Sequence, residues 1–168
     1  MIDKTLLDSI DYKILTLLTA NARIPYLEIA RECGISGAAI HQRIKKLEEA
    51  HVIEGTRLMI NPKLVNLGVC AFVKIKITQF DLVNAVIEAL KKIPEVVECH
   101  FVVGQFTMLI KLYCIDNSHL MDMLVNRILK IEGVAETSSF ISLDQPIDRP
   151  VPVLDKKQVQ NDRKKNLG

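Results

Sequence analysis

The spacing of apolar residues changes partway along the chain. Between residues 7 and 50, apolar residues recur every three or four positions and no stretch alternates with period two, which predicts three short helices. Asp8 is a favourable N-cap for the first helix, Pro25 fits the first helical position of the second, and Ser36 caps the third. Gly34 fits a left-handed turn before the third helix. The third helix would bury Ile40, Ile44 and Leu47.

From residue 69 onward the pattern predicts strand, helix, strand, strand, helix and strand. Residues 69–78 alternate as a half-buried strand does, with Phe72, Lys74 and Lys76 on one face. The remaining strands are predicted at 96–103, 106–115 and 134–143. This order is the ferredoxin-like βαββαβ arrangement, in which both helices cover one face of an antiparallel sheet. The predicted fold class is therefore α+β, with a helical N-terminal domain.

The sheet face away from the helices needs a cover. Phe72, Phe101 and Phe106 are predicted on it, and a partner subunit would bury them. The predicted domains are residues 1–52, which are helical, a linker strand and turn at 53–68, and the ferredoxin-like domain at 69–146. Residues 147–168 form a C-terminal segment, expected to be flexible from 155, where apolar residues become sparse.

The composition is that of an ordinary globular protein. The chain has 168 residues, of which 49% are hydrophobic and 25% charged, and its formal net charge is +2, which excludes a disordered or collagen-like chain. No apolar run approaches the roughly 18 residues of a membrane span, and the amino terminus carries acids where a signal peptide carries bases. We expect a cytoplasmic protein with no membrane partner.

No catalytic chemistry is predicted. The sequence contains no GxGxxG, P-loop, GxSxG or HExxH motif. Cys99, His100, Cys114 and His119 lack the spacing of a metal site, and the neighbours Cys99 and His100 would point to opposite faces of a strand. The prediction is therefore no cofactor and no metal.

The third helix has a locally basic face. Residues 36–47 contain Arg43, Lys45 and Lys46 and no acid, and the small residues Gly37 and Ala38 allow close approach to another surface. Charge alone leaves open whether this face binds a partner or is only solvated.

Several short motifs follow one another in a recognisable order. They are Leu7-Asp8 with Asp11, Ile14 and Leu15; Ala22-Arg23-Ile24; Glu28-Ile29-Ala30; Gly34-Ile35-Ser36; Arg43-Ile44-Lys45-Lys46-Leu47-Glu48; Val52-Ile53; Asn61-Pro62; Gly68; Val103-Gly104; and Gly133-Val134 with Thr137 and Ser139. From residue 7 to about 143 the chain thus resembles the Lrp/AsnC family, the leucine-responsive or feast/famine transcription regulators. The resemblance implies a helix-turn-helix (winged-helix-like) domain followed by a domain that binds an effector and forms oligomers.

The resemblance implies that the third helix binds double-stranded DNA. A recognition helix presents its amino-terminal part to base edges, while bases along it hold phosphates. We expect phosphate contacts from Arg43, Lys45 and Lys46, and pairing of Gln42 with adenine. The base-facing residues are Ser36, Gly37, Ala38, His41 and Gln42.

The resemblance also implies a small effector, with an amino acid as the first candidate. Thr137 and Ser139 share one face of a strand, and we expect them near the Gly104 turn, where hydroxyl and backbone N–H groups could receive a carboxylate and an amine. Thr107 stands where the family often has aspartate, which leaves the effector's identity, and its presence, open. The predicted effector residues are Gly104, Gln105, Phe106, Thr107, Thr137 and Ser139.

The implied assembly is a homodimer that associates further into a tetramer or octamer and reads near-palindromic DNA. His51 stands where the family usually has glycine, so we expect an altered turn after the third helix. Two alternatives remain: a decarboxylase-like enzyme of haem biosynthesis on the same architecture, and an effector-binding assembly module that does not bind DNA. The basic helix face favours the regulator, which is not an enzyme.

Overall fold

The structure, a computed structural model, describes residues 7–154. The chain divides into two compact units, one extending to Leu58 and including the segment from Asp148, the other comprising Met59–Ile147. The predicted flexible tail from 155 lies outside the described residues. Within residues 7–154 no helix is long and apolar enough to span a membrane.

Three helices form the first unit: α1 (Ser9–Ala20), α2 (Tyr26–Cys33) and α3 (Gly37–Glu49). Asp8 caps α1 as predicted, because its carboxylate accepts hydrogen bonds from the N–H groups of Ile10 and Asp11, both at 2.9 Å. Ser36 caps α3 through the Ala39 N–H at 3.2 Å. The core of the unit consists of Ile14, Ile29, Ala30, Ile40, Ile44 and Leu47.

The turns of this unit match the sequence pattern with one difference. Gly34 adopts the predicted left-handed conformation, with φ +68°. Pro25 is the N-cap of α2 and not its first helical residue, because its ψ of 137° is extended. The prediction for Pro25 is therefore wrong by one position.

The residue after the C-cap of α3 also has a left-handed backbone. His51 has φ +54°, and the Val52 N–H donates to the Leu47 carbonyl at 2.9 Å. Glycine adopts this conformation readily, whereas it costs a residue with a side chain about 1 kcal/mol. His51 therefore introduces backbone strain into a turn that still closes.

The second unit has a four-stranded antiparallel sheet in the order β2-β3-β1-β4. Its strands are β1 (Val69–Ile77), β2 (Val96–Phe101), β3 (Met108–Cys114) and β4 (Val134–Ser142). The helices are α4 (Val83–Leu90) and α5 (Asn117–Asp122), and α5 continues as a π-helical turn over Met123–Ile128. This is the predicted ferredoxin-like arrangement.

Both helices pack on one face of the sheet. Val73 and Ile75 of β1 are fully buried and form a continuous core with Val86 of α4 and with Met123 and Ile128 of the π-helical turn. The opposite face of the sheet, which we call the outer sheet face, carries the alternate β1 residues Phe72, Lys74 and Lys76. The predicted alternation of β1 is confirmed.

Two further predictions are wrong. Residues 53–60 form no strand, because no described strand pairs with them. Phe101 lies opposite the buried Met108 and therefore on the helix face. The cause is an irregularity in β2 between Val96 and Glu98, which shifts the alternation of the residues that follow.

Candidate nucleic-acid interface and ligand site

The exposed face of α3 carries most of the predicted DNA-binding residues. Because Ile40, Ile44 and Leu47 face the core, the intervening positions point outward. Gly37 is half-buried, and the side chains on the exposed face belong to Ser36, Ala38, His41, Gln42, Lys45 and Lys46. The structure thus brings these predicted residues together on one continuous surface.

A residue of α2, Tyr26, contacts the exposed His41 side chain. The Tyr26 ring meets the His41 ring edge to face, with centroids 5.1 Å apart and an interplanar angle of 81°. Such pairs favour a defined ring orientation. The sequence analysis missed Tyr26, because the spacing of residues within α2 does not reveal which helix its first residue will meet.

Arg43 differs from the other predicted phosphate ligands. Its guanidinium lies 2.7 Å from a carboxylate oxygen of Asp8 and 2.7 Å from one of Asp11. The hydrogen bonds that the Arg43 guanidinium donates to the two carboxylates raise the pKa of Arg43, and the Asp11 N–H together with Arg43 lowers the pKa of Asp8. Arg43 thus connects α3 to the start of α1, an arrangement that the absence of acids within residues 36–47 concealed.

The two exposed lysines make weaker contacts. Lys45 lies 3.7 Å from Glu49 one helical turn away, and both side chains are mostly exposed. Exposed pairs of this kind contribute little and exchange readily with solvent or another anion. Lys46 forms no ion pair with any described residue. Both ammonium groups are therefore available to an external anion.

The predicted effector turn joins β2 to β3. Gly104 has φ +147°, a backbone conformation that favours glycine. Thr107 is bound to β1: its N–H donates to the Ile75 carbonyl at 2.9 Å, and its hydroxyl oxygen accepts from the Ile77 N–H at 3.3 Å. The Thr107 hydroxyl therefore extends the pairing between two strands.

The remaining predicted effector residues lie on different faces of the sheet. Thr137 is opposite Ile75, which places it across β1 from Met108, the residue after Thr107, and Ser139 is opposite Val73. Because Ile75 and Val73 are buried under the helices, Thr137 and Ser139 are on the helix face. Phe106 instead lies against Lys74, whose ammonium is 5.6 Å from the centre of its ring, on the outer sheet face.

The cysteines and histidines considered above do not converge. Cys99 is opposite Ile110 on the helix face, whereas His100 is opposite Leu109 on the outer sheet face. Cys114 is buried, and burial, followed by Glu95 and Asp116, raises the pKa of its thiol to about 11. No group of three or more potential metal ligands occurs among residues 7–154.

A helix-turn-helix unit with an exposed basic helix, followed by a ferredoxin-like unit with a candidate ligand turn, defines a DNA-binding regulator with a sensing domain. Residues 7–54 match the family model for winged helix-turn-helix DNA-binding domains, and residues 70–152 match the model for the Lrp/AsnC ligand binding domain. The chain belongs to the Lrp/AsnC family of transcription regulators.

Individual relatives agree with this assignment. Regulatory protein AsnC of Haemophilus influenzae is 32% identical over 145 residues, which cover 86% of this chain and 97% of the relative. The solved structure of AsnC from E. coli, 32% identical, has a TM-score of 0.81 and covers 87% of this chain and 98% of its own. A transcriptional regulator of Neisseria meningitidis, solved as a complex with L-Met, is 26% identical with a TM-score of 0.81 and covers 85% and 94%.

Proposed function

We propose that α3 is the recognition helix and that its outward residues read base edges. The observation that carries this proposal is the continuous exposed surface of small residues, His41, Gln42 and the available ammonium groups of Lys45 and Lys46. The two lysines hold phosphates, while Arg43 maintains the position of α3 through its carboxylate partners. Ser36, Gly37 and Ala38 let the start of the helix approach the groove.

We also propose that the ferredoxin-like unit binds an amino acid at the turn that contains Gly104. L-Met is bound in the solved relative from Neisseria meningitidis. Gly104, Gln105 and Phe106 supply backbone groups and an apolar surface. A ligand on the helix face would meet Thr137 and Ser139, whereas a ligand on the outer sheet face would meet Phe106.

The outer sheet face supports a proposal for the assembly. Phe140 is 50% exposed, and Phe72 and Phe106 are half-buried on the same face. We propose that a second copy covers this face to give a homodimer, which associates further into a tetramer or octamer.

Because the proposed target of the protein is DNA, we place the protein in the cytoplasm. Effector binding regulates DNA binding if the DNA-bound protein and the free protein differ in their affinity for the effector.

The direct test measures binding to the DNA upstream of the protein's own gene and to random DNA of equal length. It uses two salt concentrations, each with and without the twenty common amino acids. We expect tighter binding to the specific fragment, a steep loss of affinity with salt, and a shift in the presence of amino acids. Equal affinity for both DNAs would contradict sequence-specific recognition of the upstream DNA by the protein.

A single substitution tests base reading. Replacing Gln42 with alanine should weaken specific binding by roughly 1–3 kcal/mol and leave binding to random DNA unchanged, because a base contact contributes only at its own site. Equal losses on the two DNAs would remove Gln42 from base recognition.

Light scattering of the same samples reports whether the protein is a dimer or a larger assembly.

A further inference from the structure

Three lysines of the central strands lie on the outer sheet face, and two of them have carboxylate partners. Lys76 lies 3.9 Å from Glu136, and Lys111 lies 3.4 Å from Glu98. Among residues 7–154, Lys74 has no carboxylate oxygen within 4.0 Å of its ammonium. Lys74 is nevertheless half-buried, whereas the paired Lys76 is exposed.

The surroundings of Lys74 are aromatic on two sides. Its ammonium lies 4.7 Å from the centre of the Phe140 ring and 5.6 Å from that of Phe106. Ser138 is directly opposite Lys74 on β4, so its hydroxyl shares the outer sheet face. A cation between aromatic rings, with a hydroxyl beside it, provides a place for one small anionic group next to apolar surface.

Covering this face changes the electrostatics of Lys74. A solvated ammonium needs no counter-ion, but an ammonium removed from water needs a compensating negative group. The described strands carry two acids on this face, Glu98 and Glu136, and each already faces a lysine of its own chain. A second copy that covers the face therefore brings no uncommitted strand carboxylate to Lys74.

We infer that Lys74 binds the carboxylate of the small-molecule effector on the outer sheet face, between the rings of Phe106 and Phe140 and beside Ser138. This inference rests on the proposed effector function and makes it more specific. It names the residue that binds the effector's carboxylate, and it shifts the site from Thr137 and Ser139 to the opposite face of the sheet. Phe106 is the predicted effector residue that this site retains.

The test compares Lys74→Gln with Lys76→Gln in the full-length protein. The control lies on the same strand and the same face but is paired with Glu136. The probes are the twenty common amino acids and, for each one that binds, its carboxamide, which keeps the side chain and amino group but removes the negative charge. Calorimetry measures affinity, light scattering measures assembly, and circular dichroism verifies folding.

We expect Lys74→Gln to weaken amino-acid binding by roughly 10- to 100-fold, as the loss of a hydrogen bond to a charged group does. The carboxamide should bind weakly to both the native protein and Lys74→Gln, and Lys76→Gln should bind like the native protein. This combination attributes the loss to an interaction between Lys74 and the carboxylate.

Other outcomes would overturn the inference in distinguishable ways. If the native protein binds an amino acid and Lys74→Gln binds it equally well, the carboxylate lies elsewhere and the proposed effector function survives. The same conclusion holds if Lys74→Gln lowers the affinity for the amino acid and the affinity for its carboxamide by the same factor. A changed assembly without ligand would show that Lys74 pairs with a second copy. If the native protein binds none of the amino acids, the proposed function itself fails.

Discussion

The candidate DNA-binding surface follows one helix, from Ser36 to Lys46, whereas the candidate effector site gathers Lys74, Phe106 and Ser138 from three separate segments. In α3 the helical period determines which side chains point outward once the apolar positions are known. On the sheet, the register between strands decides which residues become neighbours. A surface carried by one helix can therefore be changed locally, while a surface built across strands depends on the whole sheet.

The largest expected effect tests the surface on α3. Replacing both Lys45 and Lys46 with alanine should weaken binding to every DNA sequence by at least roughly 100-fold and reduce the salt slope by about 2 per protomer, because each protomer loses two phosphate contacts. Amino-acid binding should not change. The matched control is Lys91→Ala with Lys92→Ala, two exposed lysines in sequence next to α4. An unchanged salt slope would contradict the phosphate role.

The second prediction concerns the ion pairs that position α3. Arg43→Met should lower the free energy of unfolding by about 1–2 kcal/mol, since Asp8 and Asp11 lose a shared partner. Arg31→Met, which removes an exposed guanidinium from α2, is the control and should have little effect. Denaturant unfolding measures both variants, and equal stability of the two would show that the Arg43 ion pairs contribute nothing measurable.

The same ion pairs predict a dependence on acid. The Asp11 N–H and Arg43 lower the pKa of Asp8 below its ordinary value of 3.8. A carboxyl whose pKa is lower in the folded state stabilises the protein above its unfolded pKa, and this stabilisation is lost as pH falls through the folded pKa. The free energy of unfolding of the native protein should therefore fall below about pH 4 by more than that of Arg43→Met. Parallel acid profiles would assign the loss to other carboxylates.

The third prediction separates the two faces of β4 with neighbouring serines. Ser138 lies on the outer sheet face beside Lys74, and Ser139 lies on the helix face opposite Val73. Ser138→Ala should weaken amino-acid binding several-fold, about 1 kcal/mol, because one hydrogen bond to the ligand is lost, and Ser139→Ala should leave it unchanged. The reverse result would return the effector to the face that the sequence pattern indicated.

The smallest expected effect is local to the turn after α3. His51→Gly should raise the free energy of unfolding by up to about 1 kcal/mol, because glycine adopts φ +54° without strain. DNA affinity should stay the same, since His51 follows the helix and lies outside its reading surface. Lower stability of the glycine variant would show that the flexibility of glycine in the unfolded chain outweighs the relieved strain.

The sequence by itself determined the parts of this protein that local periodicity controls. The burial of Ile40, Ile44 and Leu47 followed from helical spacing, as did the outward position of Gln42, and the caps at Asp8 and Ser36 followed from side chains that accept hydrogen bonds from nearby N–H groups. The order of strands and helices after residue 69 was sufficient to predict the ferredoxin-like sheet.

Only the tertiary structure decided which distant residues meet. An irregularity in β2 moved Phe101 to the helix face, strand register separated Ser139 from Lys74, and the packing of α1 against α3 committed Arg43 to Asp8 and Asp11. Each of these outcomes depends on pairing between segments far apart in the chain. A periodic pattern specifies the face of its own element, but the partner across that face is fixed by register and packing.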